Sequence, residues 1–372
     1  MNHSKRIAIV GAGVAGMALA ILATRRGHHV TLFERGREVS SMGAGVTLWP
    51  NAVFVLERMG LCDDIQRLGG TPRYMRQFDR HGNTMGEFDI DAVNRLCGFP
   101  SVTILRRDLM SALAAALSDL AVDIRFGCSI TTQDIDDLKQ RYDLVVGADG
   151  RMNSVVRQAI YPEPVPPRYQ GFVNIIGISR LEDSTFDNAI HDVRGPEARF
   201  GIVPVGTDRC FWAGAWRASI DKERGLSTGY DDMDRRFGDW PKPVRQVLQS
   251  RDPASLNRIF VHDLDPLPYW HRDNALIIGD AAHAPLPTSG QGACQALEDA
   301  WHLVWMLEEH DQLSSALTGF YQRRIAKTSA AQAAGRQVAQ QIFGDQTEPQ
   351  PPGPGLSAER LSHFWMQGLD RA

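Results

Sequence analysis

The sequence predicts an α/β fold: a doubly wound, Rossmann-like sheet, interrupted by a mainly antiparallel sheet and followed by helices. Three observations predict it. Residues 6–10 (RIAIV) are an apolar run leading into Gly11-Ala-Gly13-Val-Ala-Gly16, then a stretch of helical composition (17–25) and a second apolar run (29–33) ending on Glu34. Two later buried runs repeat the pattern: 144–148 closes on Asp149-Gly150, and 275–278 closes on Gly279-Asp280 before a Pro- and Gly-broken loop and a helix opening near Gly292. Between them, 169–263 changes character, with 172–178, 199–205 and 210–216 β-like and 230–249 helical.

Each glycine of the first turn has a reason. Gly11 permits the tight turn, Gly13 lets backbone approach a pyrophosphate, Gly16 lets the helix pack on its strand, and Glu34 can accept from ribose hydroxyls. A bound dinucleotide follows, the bland alternative being a nucleotide-free α/β fold. Residues 43–60 offer a glycine loop, a short strand and a helix opening near Pro50-Asn51. Residues 71–92 alternate weakly around a hairpin turn at 81–83; 103–105 leads into a helix from Arg106 to about 121; one strand is expected around Ile124, and a helix over 151–159. Helix is expected over 296–343, then a Pro-rich loop (348–354) and a last short helix (358–369). The domain reading is 1–70, 98–168 and 266–343 for the nucleotide domain, 71–97 and 169–265 for the inserted substrate domain, and 344–372 for the tail.

Composition excludes several classes. Of 372 residues, 43% are hydrophobic and 23% charged, with a formal net charge of -4 and no basic block, so nucleic acid and anionic membranes are not expected partners. The five cysteines are scattered and odd in number, with no Cys-x-x-Cys pair, against a disulfide framework or a zinc site. No run reaches the length of a membrane span and the chain enters a strand almost at once, so a reducing cytoplasm is expected, as a monomer or homodimer.

With GAGVAG at 11–16, GADG at 147–150 and GDAAH at 279–283 in this order, the chain resembles the single-component FAD-dependent aromatic hydroxylases of the p-hydroxybenzoate hydroxylase-like group. Through WPNA (49–52), RYQGFVN (168–174) and QGACQALEDA (291–300) it is most similar to the compact urate, quinolone and salicylate types. The resemblance implies FAD as cofactor, NADH or NADPH as co-substrate and O2 as oxidant, with hydroxylation of a small aromatic or heteroaromatic ring through a flavin C4a-hydroperoxide. By that resemblance Gly11, Gly13, Gly16, Glu34 and Arg35 hold the ADP half. Arg106 reaches the phosphate or ribityl region, Asp280 binds the ribityl chain, and Gly290, Gln291 and Gly292 lie beside the pyrimidine edge. Asp149 belongs to a motif handling FAD and pyridine nucleotide. Arg106 also reads as a surface ion pair, and Asp149 as a strand-end turn or helix cap. Only one dinucleotide fingerprint is present, so NAD(P)H docks transiently over the flavin.

On the substrate side, the resemblance implies that Arg199 matches the arginine that the urate and quinolone types place at the substrate or flavin face, where a fixed cation would favour a phenolate or enolate; its alternative is a pair with a surface acid. Alternation puts Phe211, Ala213 and Ala215 on one face of 210–216 and Cys210, Trp212 and Trp216 on the other, with one face lining the pocket. The urate types carry a tyrosine at the Phe211 position and an aspartate at the Thr288 position, so a less polar ring than urate is expected. Pro285 and Pro287 stiffen the loop over the flavin. His283 reads as a general acid or base or, more simply, as a packing histidine. The competing readings are another flavoenzyme of the same fold, such as a reductase, and a flavin-binding protein without turnover.

Overall fold

Strand β1 (Arg6–Val10) buries Ile7, Ala8 and Ile9 completely, as its unbroken apolar run requires. The computed structural model describes residues 4–40, 43–180, 186–223, 225, 228–344 and 357–369. After β1 come α1 (Val14–Arg25) and β2 (His29–Phe33), then β3 (Gly45–Leu48), α2 (Pro50–Arg58), α3 (Cys62–Leu68) and the hairpin β4 (Tyr74–Asp79) and β5 (Thr84–Asp89). Helix α4 (Ile90–Cys97), β6 (Val102–Leu105), α5 (Arg106–Asp119), β7 (Asp123–Arg125), α6 (Thr132–Arg141), β8 (Leu144–Gly147) and α7 (Val155–Ile160) follow. The second sheet is built mainly from β9 (Arg168–Arg180), β10 (Ala189–Gly195), β11 (Ala198–Val205), β12 (Arg209–Arg217) and β13 (Asn257–Asp263), with α8 (Thr228–Phe237) and α9 (Lys242–Gln249) before β13. The chain returns through β14 (His271–Arg272), β15 (Ala275–Ile277), α10 (Asp280–His283), α11 (Gly292–Glu309), α12 (Leu313–Phe343) and α13 (Ala358–Met366).

Two sheets carry the architecture. The six-stranded sheet runs β14-β15-β8-β1-β2-β7, parallel throughout except for β14. The seven-stranded sheet runs β13-β9-β12-β11-β10-β4-β5, antiparallel except where β10 meets β4. A large core joins the first sheet to α1, α2, α5 and α11, while Phe200, Trp212, Met233 and Phe237 centre a second core under α8 and α9. Two smaller clusters fasten the second sheet to its surroundings: Ile178 and Val205 pack on Ala44 and Leu105 beside the β3–β6 pair, and Phe172 and Ala215 pack on Leu286 and on Phe343 of α12. Among the described residues no helix is long and apolar enough to cross a membrane.

Several boundaries differ from the sequence reading, each for a local reason. Helix α7 starts at Val155 because Ser154 caps it, accepting from Arg157 N. The helical stretch 230–249 splits ahead of Lys242, where Pro241 occupies the cap position. The run 296–343 is two helices broken at 310–312. Helices α3, α4 and α6 and strands β10 and β13 were not anticipated; α6 buries only Ile135 and Leu138, too little for a periodic signal, although its Thr131/Asp134 capping box was readable. The Pro-rich loop at 348–354 lies outside the described residues.

Candidate active site

The first turn is shaped by steric need. Gly11 has φ +104°, and a Cβ there would sit 2.4 Å from Ala148 O; a Cβ on Gly16 would sit 2.0 Å from Gly11 O. A Cβ on Gly13 would meet nothing within 4 Å, so this backbone borders open space. Helix α1 begins at that point with no side-chain cap and no acidic residue in its first turn, leaving N–H groups for an anion. Glu34 Oε2 accepts from Ala12 N at 2.8 Å and Oε1 from Gly36 N at 2.7 Å, and each oxygen keeps a lone pair for a hydroxyl donor. Arg35 is exposed beside it.

Across the cleft, the Gly279-Asp280 turn lies on α1. Gly279 has φ +57°, its N–H donates to Asp299 Oδ2 at 2.7 Å, and a Cβ would come 2.9 Å from that of Ala15. Asp280 Oδ2 accepts from Arg151 Nη1 at 3.1 Å. Arg106 crosses Gly43, where a Cβ would be 2.6 Å from Arg106 Cδ, and it makes no ion pair among the described residues. Burial draws its guanidinium below the usual range, with Asp280 opposing and Arg151 adding to the shift. Two guanidinium groups thus stand near one carboxylate, which only Arg151 pairs, an excess of positive charge suited to a diphosphate. Sequence reasoning missed Arg151, though its place directly after Asp149-Gly150 could have marked it. The carboxylate of Asp149 turns into α7, accepting from Ser154 Oγ at 2.6 Å and Val155 N at 2.7 Å. Arg157 ties the two loops by donating to Ala281 O and Arg151 O.

The third part is the N-terminus of α11, again without a side-chain cap or an acid in its first turn. Gly290 is left-handed, and a Cβ there would lie 3.0 Å from Trp49 Nε1. Gln291 is held by its Oε1, which accepts from Asn51 Nδ2 and Gln295 Nε2, both at 3.0 Å. Its Nε2, like Trp49 Nε1 and Arg151 Nε, is buried with no hydrogen-bond partner in the protein. Unpartnered buried donors are costly, so three of them along one cleft fit a ligand rich in acceptors. Half-buried Pro285 packs at Gly292, whereas the Thr288 hydroxyl turns away and donates to Gly335 O at 2.6 Å.

Beneath these loops lies a buried ionic cluster. His283 Nε2 meets Asp299 Oδ2 at 2.5 Å, and Arg324 binds Asp299 at 2.8 Å and Glu298 at 2.5 Å. Burial raises the Asp299 carboxyl, but His283 and Arg324 outweigh it and bring it to about 2. His283, 1% exposed, is fixed on Asp299, and its ring also lies against Trp270.

The opposite wall is the inner face of the second sheet. Cross-strand pairs place Arg199 against Ala215, Gly201 against Ala213 and Val203 against Phe211, all on one face; Cys210, Trp212 and Trp216 face the other core. Phe211 lies on Gly45, where a Cβ would be 2.1 Å from its ring, while a Cβ on Gly201 would meet nothing within 4 Å. Ala215 packs with Leu286 at the far end. Arg199 Nε donates to Asp192 Oδ1, and Arg194 holds the other oxygen of this 1% exposed carboxylate. Burial would raise Asp192, but Arg199 and Arg194 carry it below its ordinary value. Asp192 was missed because β10 itself was not anticipated.

An uncapped α1 N-terminus at open backbone, a carboxylate near two guanidinium groups at the sheet tip and an uncapped α11 N-terminus together fit a dinucleotide. The chain belongs to the FAD binding domain family, which matches residues 5–333, and FAD is its cofactor. It is 30% identical over 356 residues to the 3-amino-4-hydroxybenzoate 2-monooxygenase of Streptomyces cremeus, covering 92% of this chain and 89% of that one. Identity to a FAD-dependent urate hydroxylase of Mycolicibacterium vanbaalenii is 29% over 345 residues, covering 87% and 85%. The crystal structure of Klebsiella pneumoniae HpxO complexed with FAD and uric acid has the same fold, with TM-score 0.82 at 22% identity over 99% of this chain and 93% of that one. With these relatives the chain is a FAD-dependent monooxygenase, an oxidoreductase.

Proposed function

We propose that this monooxygenase consumes NADH or NADPH and O2 to hydroxylate a small, electron-rich aromatic or heteroaromatic ring seated between the flavin and the inner face of the second sheet. The observation that carries the reading is the open space over Gly201, flanked by Ala213 and bordered by the Arg199–Asp192 pair. Small residues at the centre leave room for a planar ring, and Phe211 and Val203 keep one end apolar. Arg199 and Arg194 share one carboxylate, so the wall keeps one positive charge to favour an anionic ring form.

FAD, once bound, supplies the hydride acceptance and the oxygen transfer. The protein's residues do the rest. Gly11, Gly13 and the N-terminus of α1, with Arg106 and Arg35, hold the diphosphate and adenosine end beside Glu34. Asp280 takes ribityl hydroxyls, and the backbone of Gly290 to Gly292 with Gln291 faces the pyrimidine edge. Pro285, Leu286 and Pro287 would cover the ring and exclude water. Asp149 acts through the loop it caps, which carries Arg151. Thr288 offers the pocket no free hydroxyl, in keeping with a ring less polar than urate. Five cysteines, none of them disulfide-bonded, suit a reducing cytoplasm.

The test is a panel of phenols, hydroxypyridines and quinolones added to the FAD-loaded protein. An accepted compound speeds NAD(P)H oxidation and shifts the bound-flavin spectrum. A protein whose flavin NAD(P)H cannot reduce even with ligand present is instead a flavin binder without turnover.

A further inference from the structure

The family match ends at residue 333, yet the last described helix, α13 (Ala358–Met366), reaches the flavin end of the molecule. Two separate contacts connect it. Trp365 stacks on Trp49, with ring centroids 4.8 Å apart and planes inclined by 27°, and Trp49 Nε1 stands at Gly290. Lys327 of α12, only 4% exposed, donates to Trp365 O at 2.6 Å and Gln367 O at 3.2 Å and pairs with Glu298 Oε2 at 2.9 Å. An ammonium has three donors, and two of these three contacts are to carbonyls at the end of α13.

Glu298 continues the path. Its Oε1 accepts from Asn51 Nδ2 at 2.6 Å, and the same Asn51 amide donates to Gln291 Oε1. The buried charges balance, with Arg324 and Lys327 against Glu298 and Asp299. Removing the α13 carbonyls would leave a buried ammonium with only its carboxylate partner, a change felt at Glu298 and Asn51.

We propose that α13 is a positioning element of the flavin-ring cradle: Trp365 presses Trp49 against Gly290, and the α13 carbonyls, through Lys327, Glu298 and Asn51, hold Gln291. This rests on the reading that Gly290 to Gly292 border the flavin ring. Neither Trp365 nor Lys327 touches the reacting atoms. Both act through the Gly290 to Gly292 segment.

The experiment uses full-length protein reconstituted with FAD and compares wild type, Trp365→Ala, Trp365→Phe, Trp49→Phe, Lys327→Met and His363→Ala, the last an exposed control on α13. Three quantities are read: the FAD dissociation constant by fluorescence, the visible band shape of bound flavin, and its midpoint potential. Trp365→Ala and Lys327→Met weaken FAD binding by roughly fivefold or more, the scale of a stacked aromatic pair or a buried polar contact, and alter the band shape. Trp365→Phe restores most of the loss and His363→Ala changes nothing. Folded Trp365→Ala protein with wild-type affinity, spectrum and potential overturns the proposal. If Trp365→Ala does not fold, Lys327→Met and Trp49→Phe decide: weakened FAD binding or an altered band shape in either supports it, and wild-type affinity, spectrum and potential in both overturn it. Failure of wild type to bind FAD would instead strike the reading of the site, so the two failures are distinguishable.

Discussion

Arg199 Nε lies 2.5 Å from Asp192 Oδ1 on the cleft-facing side of the second sheet, and Arg194 closes on the other carboxylate oxygen. A carboxylate buried between two arginines fixes Arg199 in place while leaving the wall one positive charge. Arg199→Ala should retain FAD and lose turnover, with kcat/KM falling about tenfold or more, on the scale of a hydrogen bond to a charged group. Asp192→Asn should raise KM more than it lowers kcat, because Arg199 loses its orientation but not its charge. Steady-state kinetics on reconstituted variants check both, and loss of flavin with normal kinetics once it is restored would count against a substrate role.

The three glycines of the first turn should separate by consequence. Gly16→Ala and Gly11→Ala collide with backbone, at 2.0 Å from Gly11 O and 2.4 Å from Ala148 O, so both should lower the unfolding free energy of the apoprotein by about 2 kcal/mol or more. Gly13→Val meets no protein atom near its Cβ. It should leave apoprotein stability within about 0.5 kcal/mol of wild type while weakening FAD binding. Thermal unfolding with and without FAD tests the contrast.

At the sheet tip, Asp280→Ala should weaken FAD binding by about tenfold or more. Arg151→Met should weaken binding most at low salt and give a flatter salt dependence, since Arg151 supplies part of the excess charge facing the diphosphate. Titration at two ionic strengths reads both, and identical salt slopes for wild type and Arg151→Met would remove Arg151 from that end of the site.

A pH effect follows from His191, whose ring is enclosed by Phe78 and Phe186. Burial, with Arg76 adding to it, lowers its pKa from 6.5 to about 4. Between those values the unfolded chain binds the proton and the folded chain does not, so stability rises with pH across this window. The contribution is complete above the unfolded value and is lost as pH falls toward the folded one, with a swing on the order of 3 kcal/mol. Urea unfolding of wild type and His191→Gln across that range should show a flatter pH dependence for the variant.

Much of the cofactor half was legible because its demands are local. Gly11, Gly13 and Gly16 answer to one turn, and strand, helix and Glu34 follow within 34 residues. The inner wall was only half legible. Alternation along 210–216 assigned Phe211 and Ala213 to one face correctly, but Asp192 comes from a strand that carries His, Asp and Arg among its apolar residues. Contacts closed across hundreds of residues leave no local trace: Asn51 to Glu298 spans 247 positions. Asp149 and Thr288 show the converse limit, since they were singled out by the resemblance and only the structure shows their side chains bonded to Ser154 and Gly335.

The central claim is most directly tested by supplying isotopically heavy dioxygen to the FAD-loaded enzyme with NAD(P)H and an accepted aromatic compound, and weighing the product. The account predicts a product carrying one heavy oxygen atom on the ring, formed in proportion to the NAD(P)H consumed. A product with oxygen from water, or NAD(P)H oxidation that yields only peroxide across the whole panel, would contradict it.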